Sequence, residues 1–399
     1  MLSRETEERL AELLVDRIEE INTRILIKIG ESIKMFSDLS ITEAYQLAQI
    51  LKYGGSFNEI TNYLSKISGK SVKDIYTIFD EVADQNKQFA EKFYKYRGMD
   101  FIPYSKDLPL QNQVNAFARL TAGSFLNLTN TTAIGYVMKD LNGNRVFRNI
   151  ERTYQEAIDR AVLSISQGKS TFYQEMRNTL KDIGQNGLVQ YESGLTRRLD
   201  SAVRMNLLDG IRQLNMETSF KFGKEYGSDG VEITVHEYPA PDHADIQGRQ
   251  FTDLQYEILQ DGGIAKDVKG RKYDGSEKRH IGELNCYHYL LNIIVGVSKP
   301  QYTDEQLKEI NNKNKEGFDF EGKHYTLYEG TQLQRKIELA VRKEKDTAIL
   351  AKSSGDKELL ASCNSRIKLL NDKYKKLCNA SGLKPKNTRM AVSGYKRSK

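Results

Sequence analysis

Apolar residues recur at helical spacing over most of this chain, and that periodicity restricts the fold more than any other feature. Between residues 5 and 35, Leu10, Leu14, Ile18 and Ile21 follow one another at intervals of three or four, which places them on one helix face. The 399 residues include only six prolines, so long helices are rarely interrupted. The sequence therefore predicts a mainly α fold with long helices.

The helical pattern divides the first 230 residues into two predicted regions. Capping-box sequences begin at Ser40 and Ser56, and Ser71 is a further predicted helix start. These signals predict a helical N-terminal region over residues 1–105. A helical middle region, 106–230, is predicted from periodic segments near residues 110–127, 150–167, 170–183 and 195–222.

Residues 231–328 have a different pattern and are predicted to form one small α/β (α+β) module. Residues 231–238 alternate with period two and are rich in β-branched side chains, which is typical of a strand. The apolar segment 289–297 predicts a second strand, and residues 318–328 predict a hairpin that turns at Glu321 and Gly322. A short helical segment is expected around residues 254–259.

Residues 329–399 predict a basic helical tail that folds as a C-terminal helical hairpin. The apolar positions repeat at intervals of three and four, which is the seam of two packed helices, and the predicted partner helix covers residues 331–351. The seam residues are Leu360, Cys363, Ile367, Leu370, Tyr374 and Leu377. The tail contains 18 Lys and Arg against 7 Asp and Glu. Cys363 and Cys378 are interpreted as small apolar residues of this hairpin.

Basic residues in two places are candidate contacts with DNA or with an acidic partner, because arginine and lysine bind phosphates and carboxylates. The alternative is a solvated helix face that serves only solubility. The candidates are Arg197, Arg198, Arg204, Lys373, Lys375, Lys376, Lys384, Lys386 and Arg389.

All five histidines and one of the three cysteines lie in the 231–328 module. The candidate metal ligands are His236, His243, His280, Cys286 and His288, and the Cys-x-His pair is close enough to share one ion. Their spacing matches no zinc-finger or ribbon pattern, so a structural zinc stays an alternative to side chains that only hydrogen-bond strand ends and turns. No cofactor and no catalytic residue are predicted, because no signature of a Cys/His hydrolase or a histidine-metal nuclease is present.

The remaining composition restricts the location of the protein. Three cysteines without a CxxC pair favour a reducing compartment. No uninterrupted apolar run reaches about 18 residues, so neither a membrane span nor a signal peptide is expected. These features predict a protein made in the cytoplasm.

Several long motifs together resemble the minor capsid protein 2 family of tailed bacteriophages. They are residues 191–206 (YESGLTRRLDSAVRMN), 235–243 (VHEYPAPDH), 282–288 (GELNCYH) and 316–335 (EGFDFEGKHYTLYEGTQLQR). The chain is similar, more distantly, to the Mu F-like head-morphogenesis proteins. Where those proteins have the last cysteine of a His-Pro-Asn-Cys-Arg-Cys motif, this chain has His288, and histidine is also a residue type that can serve as a metal ligand.

The resemblance implies a structural, non-enzymatic component of the phage head. Such a protein would be made in the bacterial cytoplasm and built into the head near the portal vertex, through contacts with portal or major capsid proteins. The basic tail would add contacts with packaged double-stranded DNA, and no membrane partner is implied. The alternative is a metal-dependent nuclease or an ADP-ribosyltransferase-like module carried in the head, although no nicotinamide site is evident.

Overall fold

A computed structural model describes residues 4–53, 55–129, 134–140, 143–185, 187–190, 196–263, 265–273, 280–282 and 286–395. Helices dominate these residues, so the predicted mainly α class is confirmed. The helices are α1 (Arg4–Lys34), α2 (Ile41–Tyr53), α3 (Gly55–Arg97), α4 (Leu108–Leu128), α5 (Ile150–Ser166), α6 (Lys169–Gln185), α7 (Leu199–Glu225), α8 (Asp253–Gln260), α9 (Asp304–Glu316), α10 (Leu327–Ser354) and α11 (Lys357–Ser381).

The strands are short and form three antiparallel sheets within the described residues. They are β1 (Ile134–Lys139), β2 (Arg145–Asn149), β3 (Gly187–Gln190), β4 (Thr196–Arg197), β5 (Gly230–Ile233), β6 (Gln250–Thr252), β7 (Leu290–Ile293), β8 (Phe318–Phe320) and β9 (Lys323–Tyr325). The strand orders are β2-β1-β3-β4, β6-β5-β7 and β8-β9.

Helix α1 is the centre of the bundle, and its predicted apolar face is buried. Leu14, Ile18 and Ile25 are almost fully inaccessible to solvent. The helix packs against α3, α7 and α10, which come from three of the four predicted regions. Burying that face on three sides provides most of the stabilisation of such a helix, because propensity alone leaves isolated helices marginal.

The predicted helix starts have mixed outcomes. Ser40 forms the predicted capping box: its backbone N–H donates to Glu43 Oε2 (2.9 Å) and its hydroxyl accepts from the Glu43 N–H (3.4 Å). The prediction that Ser71 begins a helix is wrong, because Ser71 is buried inside the continuous 43-residue helix α3. No proline interrupts α3, and Gly69 is accommodated within it.

The sheet β1–β4 was not predicted from the sequence. Its best-formed strand, β1, points Ile134, Tyr136 and Met138 into the helical core with the period-two alternation of a strand. β1 pairs with β2 and β3, and it packs against α5 and α6. The strands are two to six residues long, so their apolar alternation gives only a weak local signal.

The 231–328 module contains the predicted strands in shorter form. The strand predicted over residues 231–238 ends at Ile233, and the one predicted over 289–297 covers only Leu290–Ile293. Val231, Phe251 and Leu290 form a small separate core, against which Met216 and Phe220 of α7 pack. Helix α8 occupies the predicted helical segment, whereas α9, which begins with a capping box at Thr303, was not predicted.

The predicted hairpins at the C-terminal end are confirmed. β8 and β9 turn at Glu321 (φ 49°) and Gly322 (φ 75°), the positive-φ pair of a type I′ turn. α10 and α11 form the helical hairpin, and left-handed Gly355 and Gly382 terminate the two helices. Four residues of the predicted seam, Cys363, Ile367, Tyr374 and Leu377, are buried together with Leu359. The predicted seam residues Leu360 and Leu370 are only partly buried.

The hydrophobic cores contain side chains from more than one of the predicted regions. The main core contains residues of α1 to α7 together with Leu350 of α10 and Leu359 of α11. Phe318 and Phe320 of the β8–β9 hairpin pack with the tail helices, not with the core of the module. The four-part division into folding units therefore stays a prediction. Among the described helices, none combines the length and the hydropathy needed to cross a bilayer.

Candidate functional site

Three of the five predicted metal-ligand candidates meet in one buried cluster. His243, Cys286 and His288 are each at most 4% exposed. The Cys286 Sγ lies 3.4 Å from His243 Nδ1 and 3.4 Å from His288 Nδ1. One ligand atom from each residue lies within 4.8 Å of the other two. The cluster is small enough for the three side chains to hold one ion.

The fold brings these residues together by pairing the ends of two strands. The antiparallel pairing of β5 with β7 extends past the ends of both strands, since the Thr234 N–H donates to the Tyr289 carbonyl (2.9 Å). This pairing places Cys286 and His288 beside the chain that leaves β5. After Pro239 and Pro241 that chain turns back, and the His243 N–H donates to the Ala240 carbonyl (2.9 Å). His243 therefore faces the β7 end across a tight turn.

The outer nitrogens of both histidines lie near oxygen atoms. His288 Nε2 is 3.2 Å from the side-chain oxygen of Gln247, which also accepts from the His236 N–H (2.8 Å). Gln247 is buried and donates through its own amide to Asn311 of α9 (3.2 Å). His243 Nε2 is 3.7 Å from Asp242 Oδ2. The bond to Gln247 orients the His288 ring with Nδ1 towards the sulfur.

The other two candidate ligands do not belong to the cluster. His236 stacks on Tyr287 at 5.3 Å between ring centroids, and its Nδ1 accepts the Tyr238 N–H (2.9 Å). His280 is exposed and is not a member of the cluster. The fifth histidine, His324, is exposed and pairs with Asp319 (2.9 Å).

The two histidines make Cys286 an unusual thiol. Burial alone would raise its pKa, but hydrogen bonds and positive charge from His243 and His288 outweigh burial and bring the pKa to about 5. Burial raises the pKa of Cys363 to about 12 and also raises the pKa of Cys378. The low pKa of Cys286 favours its thiolate, which is the form that binds metals.

The cluster lies at the wall of a cavity of about 870 Å³. The opposite walls come from α10 and from the segment after α11, so the module and the tail enclose the cavity jointly. Five cationic residues line it, against two carboxylates. The cations are Arg197, Arg335, Lys384, Lys386 and Arg389, and the carboxylates are Glu8 and Glu237.

Tyr287 organises the cationic wall. Its hydroxyl accepts from Arg335 (3.0 Å) and Arg389 (3.4 Å), and the Lys386 ammonium lies 6.0 Å from its ring centroid. Gln334 of α10 donates to the Lys384 carbonyl (3.0 Å), which holds the segment after α11 against the hairpin. Neither Tyr287 nor Arg335 was a predicted site residue, since neither has a distinctive spacing in the sequence.

The predicted basic contacts are distributed over three environments. Arg197, Lys384, Lys386 and Arg389 line the cavity. Lys375 and Lys376 are exposed on α11, where Lys373 pairs with Glu321 (2.6 Å). Arg204 lies 3.9 Å from Glu12, whereas Arg198 is buried and pairs with Asp200 (3.1 Å) and with Asp346. Arg198 therefore lies inside the structure and not at the surface.

Comparisons with known proteins agree over almost the whole chain. The model of the family described as phage minor capsid protein 2 matches residues 5–379. A protein named "Structural protein" of Lactococcus phage LL-H is 21% identical over 390 residues, which cover 94% of this chain and 92% of that relative. No solved structure matches.

Proposed function

This chain belongs to the phage minor capsid protein 2 family, as its motifs predicted, and from that premise we propose that it acts in head assembly by binding portal or major capsid proteins. The extent of the family match is the observation that carries the proposal. The match includes the helical bundle, the α/β module and both tail helices, so it concerns the architecture and not a single motif. Virion component and structural protein are the roles that this membership supports.

An aromatic stripe near the end of α3 is the surface we propose for that contact. Phe89, Phe93 and Tyr96 follow at helical spacing and are 45%, 37% and 89% exposed. The rings of Phe89 and Phe93 lie 5.5 Å apart, and Phe93 also stacks on Tyr226 of α7. Clustered exposed aromatic residues are typical of protein interfaces, where they bury large area at low entropic cost.

The proposal is tested by following the protein into heads. A phage that encodes Phe89→Ser and Tyr96→Ser is expected to yield heads that contain less than about a tenth of the normal amount of the protein, measured by mass spectrometry of purified particles. Leu254→Ser, at another exposed apolar side chain on α8, is the matched control and should be incorporated normally. Equal incorporation of the stripe variant and the control would reject the stripe as the contact surface.

The presence of the wild-type protein in purified heads is measured separately from the incorporation of the stripe variant. If purified mature heads contain none of this protein, the proposed structural role fails whatever the stripe variant does. We also propose that the chain is made in the host cytoplasm and joins the head there. Pull-down of head proteins from infected cells with the tagged full-length chain identifies the partner directly.

The cationic cavity supports DNA contact as a second role. Lys384, Lys386 and Arg389 belong to the segment after α11, and all three line the same cavity as Arg335 of α10. Lysines that contact phosphates make binding strongly salt-dependent. Replacing both lysines, Lys384→Gln with Lys386→Gln, is expected to weaken binding to duplex DNA. The negative slope of log K against log salt concentration should become less steep by about 2.

Lys375→Gln with Lys376→Gln is the control for the DNA experiment, because both lysines are exposed on α11 away from the cavity lining. If this pair changes the salt slope as much as the cavity pair does, the contact is the general basic face of the tail. Binding that does not depend on salt would exclude phosphate contact by either group.

An enzymatic role is the remaining alternative, because the Cys286 thiolate and two imidazoles line the same cavity. We expect no turnover when the purified protein is incubated with plasmid DNA and Mg²⁺, Mn²⁺ or Zn²⁺. Cleavage that disappears in His243→Ala would establish a metal-dependent nuclease instead. Cleavage that persists in that variant would indicate a contaminating activity.

A further inference from the structure

The arrangement of His243, Cys286 and His288 is not used by the proposed contacts with head proteins. We propose that these three side chains bind one zinc ion at the cavity wall. The sulfur lies 3.4 Å from each Nδ1 atom. When a cysteine sulfur and a histidine nitrogen bind the same tetrahedral zinc, bond lengths of about 2.3 and 2.05 Å place them about 3.6 Å apart. The observed spacing needs little adjustment to accept the ion.

The donor atoms select the class of metal. A thiolate and two imidazole nitrogens are ligands for zinc and other late transition metals, whereas calcium and magnesium prefer oxygen ligands. Metal binding requires the deprotonated thiol, so loading with zinc should release a proton from Cys286 wherever that thiol is protonated. Cys363 and Cys378 are buried in other cores and are not part of this cluster.

The surroundings of the two histidines are those of metal ligands. In zinc sites the outer nitrogen of each histidine faces a carboxylate, an amide or a carbonyl oxygen, which fixes the ring. Here Gln247 faces His288 at 3.2 Å, and Asp242 is 3.7 Å from His243. Buried Gln247 also bonds to Asn311, so the orienting group is itself held by α9. Gln247 therefore fixes the His288 ring with its inner nitrogen towards Cys286, and a carboxylate lies close to the outer nitrogen of His243.

Access is the observation that favours an ion over hydrogen bonding alone. Sulfur–nitrogen hydrogen bonds would give similar distances in a closed core. His243, Cys286 and His288 all line the cavity, so an ion and a further ligand such as water can reach them from solvent. Within the described residues, the group of potential ligand atoms has these three members. Three protein ligands leave one tetrahedral position for a molecule from the cavity.

The ion would connect separate parts of the module. His243 lies in the turn after β5, while Cys286 and His288 precede β7. The small core beside them has few apolar side chains, and a bound metal that is absent from the unfolded chain adds its binding free energy to folding. This inference goes beyond head assembly, because it concerns the stability of the module and holds for the isolated protein.

Metal content of the full-length protein is the primary test. Protein stripped with a chelator, reloaded with Zn²⁺ and passed through gel filtration should contain about one zinc per chain by mass spectrometry of elements. Reloading with Co²⁺ should give intense sulfur-to-cobalt charge-transfer absorption. Cys286→Ser should reduce zinc to background and abolish that absorption, whereas Cys363→Ser, which changes a buried cysteine outside the cluster, should retain both.

A second measurement covers the case in which Cys286→Ser fails to fold. Zn²⁺ should raise the thermal unfolding midpoint of the wild-type chain and leave that of His288→Ala unchanged, with circular dichroism as the check on folding. Wild-type protein that takes up neither Zn²⁺ nor Co²⁺ would overturn the proposal. So would a Cys286→Ser, His288→Ala double variant that still holds one zinc per chain. Neither outcome bears on whether the protein joins the head.

Discussion

Lys87 shows how a single charged residue can be buried in the helical bundle. Its ammonium lies 4.8 Å from the ring centroid of Phe222 and about as close to Tyr94 and Phe101. It donates to Asp107 Oδ2 at 2.9 Å, and Asp107 also caps α4 by accepting the Leu110 N–H at 3.1 Å. Cation–π contacts and one carboxylate thus replace the water that the ammonium has lost.

Asp107→Asn is expected to destabilise the protein by about 2 kcal/mol at neutral pH, because asparagine still caps the helix but leaves a buried lysine without its counter-charge. Burial raises the pKa of Asp107, but hydrogen bonds from Lys87 and Leu110 outweigh burial and lower it overall. The stabilisation is therefore present above the unfolded-state pKa and is lost as pH falls through the folded-state pKa. Urea unfolding at several pH values measures it.

Exposed Asp100 provides the comparison for that measurement, since Asp100→Asn should change the free energy of unfolding by less than about 0.5 kcal/mol. A loss in Asp107→Asn that does not shrink at low pH would show that the charge of the carboxylate is not responsible.

At the scale of single residues, the sequence shows which side chains have distinctive chemistry better than it shows which of them lie together in the fold. Restriction of histidine to one module located the candidate metal ligands, but it did not distinguish His243 and His288, which meet Cys286, from His236 and His280, which do not. That selection depends on the register of β5 with β7 and on a turn at Pro239. Arg198 likewise resembles a surface arginine in sequence, and only the packing of α10 buries it beside Asp346.

At the element scale, two helix glycines have opposite surroundings. Gly184 near the end of α6 lies against Thr347 of α10, so close that an added Cβ would be 2.6 Å from the Thr347 Cα. Gly123 in α4 has no other atom within 4 Å of that position. The absence of a side chain is therefore a packing requirement in α6 and not in α4.

Gly184→Ala should destabilise the protein by about 1–3 kcal/mol, because α6 and α10 must separate to admit the methyl group. Gly123→Ala should stabilise it by up to about 1 kcal/mol through the higher helix propensity of alanine. Thermal unfolding midpoints of both variants, compared with that of the wild type, show whether each substitution stabilises or destabilises the protein. A stabilised Gly184→Ala would show that the helices are less closely packed than described.

Long periodic helices were the predictable elements, and short or polar ones were not. α1 and the α10–α11 hairpin contain an apolar face over many turns, so local pattern and tertiary packing agree. Strands β1 to β4 are stabilised by pairing across as many as 55 positions of sequence, which no local window contains. Helix α9 buries little more than Leu307 and Asn314, so its apolar periodicity is too weak to detect.

At the scale of the whole molecule, buried charges connect helices from distant parts of the chain. Arg342 of α10 pairs with Glu19 of α1 and with Asp200 of α7, and Arg198 links Asp200 to Asp346. Buried ion pairs contribute little net stability, but removal of one partner leaves an uncompensated charge. Any structure that lacks α10 therefore leaves the buried charges of its partners uncompensated and is less stable.

Deletion of residues 329–399 should consequently unfold the bundle and not merely remove a basic tail. The deletion removes Leu350 and Ala351 from the main core as well as the charges of Arg342 and Asp346. We expect loss of cooperative unfolding in circular dichroism melts. Lys375→Gln with Lys376→Gln lowers the tail charge without touching the core and should leave the melt unchanged. A truncated chain that still unfolds cooperatively would show that the bundle folds without residues 329–399 and that the tail is an independent unit.

The hydrogen bond from the Thr23 hydroxyl to the Ser393 carbonyl joins residues 370 positions apart (2.6 Å). α1 cannot complete its packing until α10 and the segment beyond it have been synthesised, since domains fold during translation only once their contacts have emerged. Until then the apolar face of α1 lacks the side chains that bury it in the complete chain. A prematurely terminated copy would present that open face to proteases, so complete chains should outlast truncated ones.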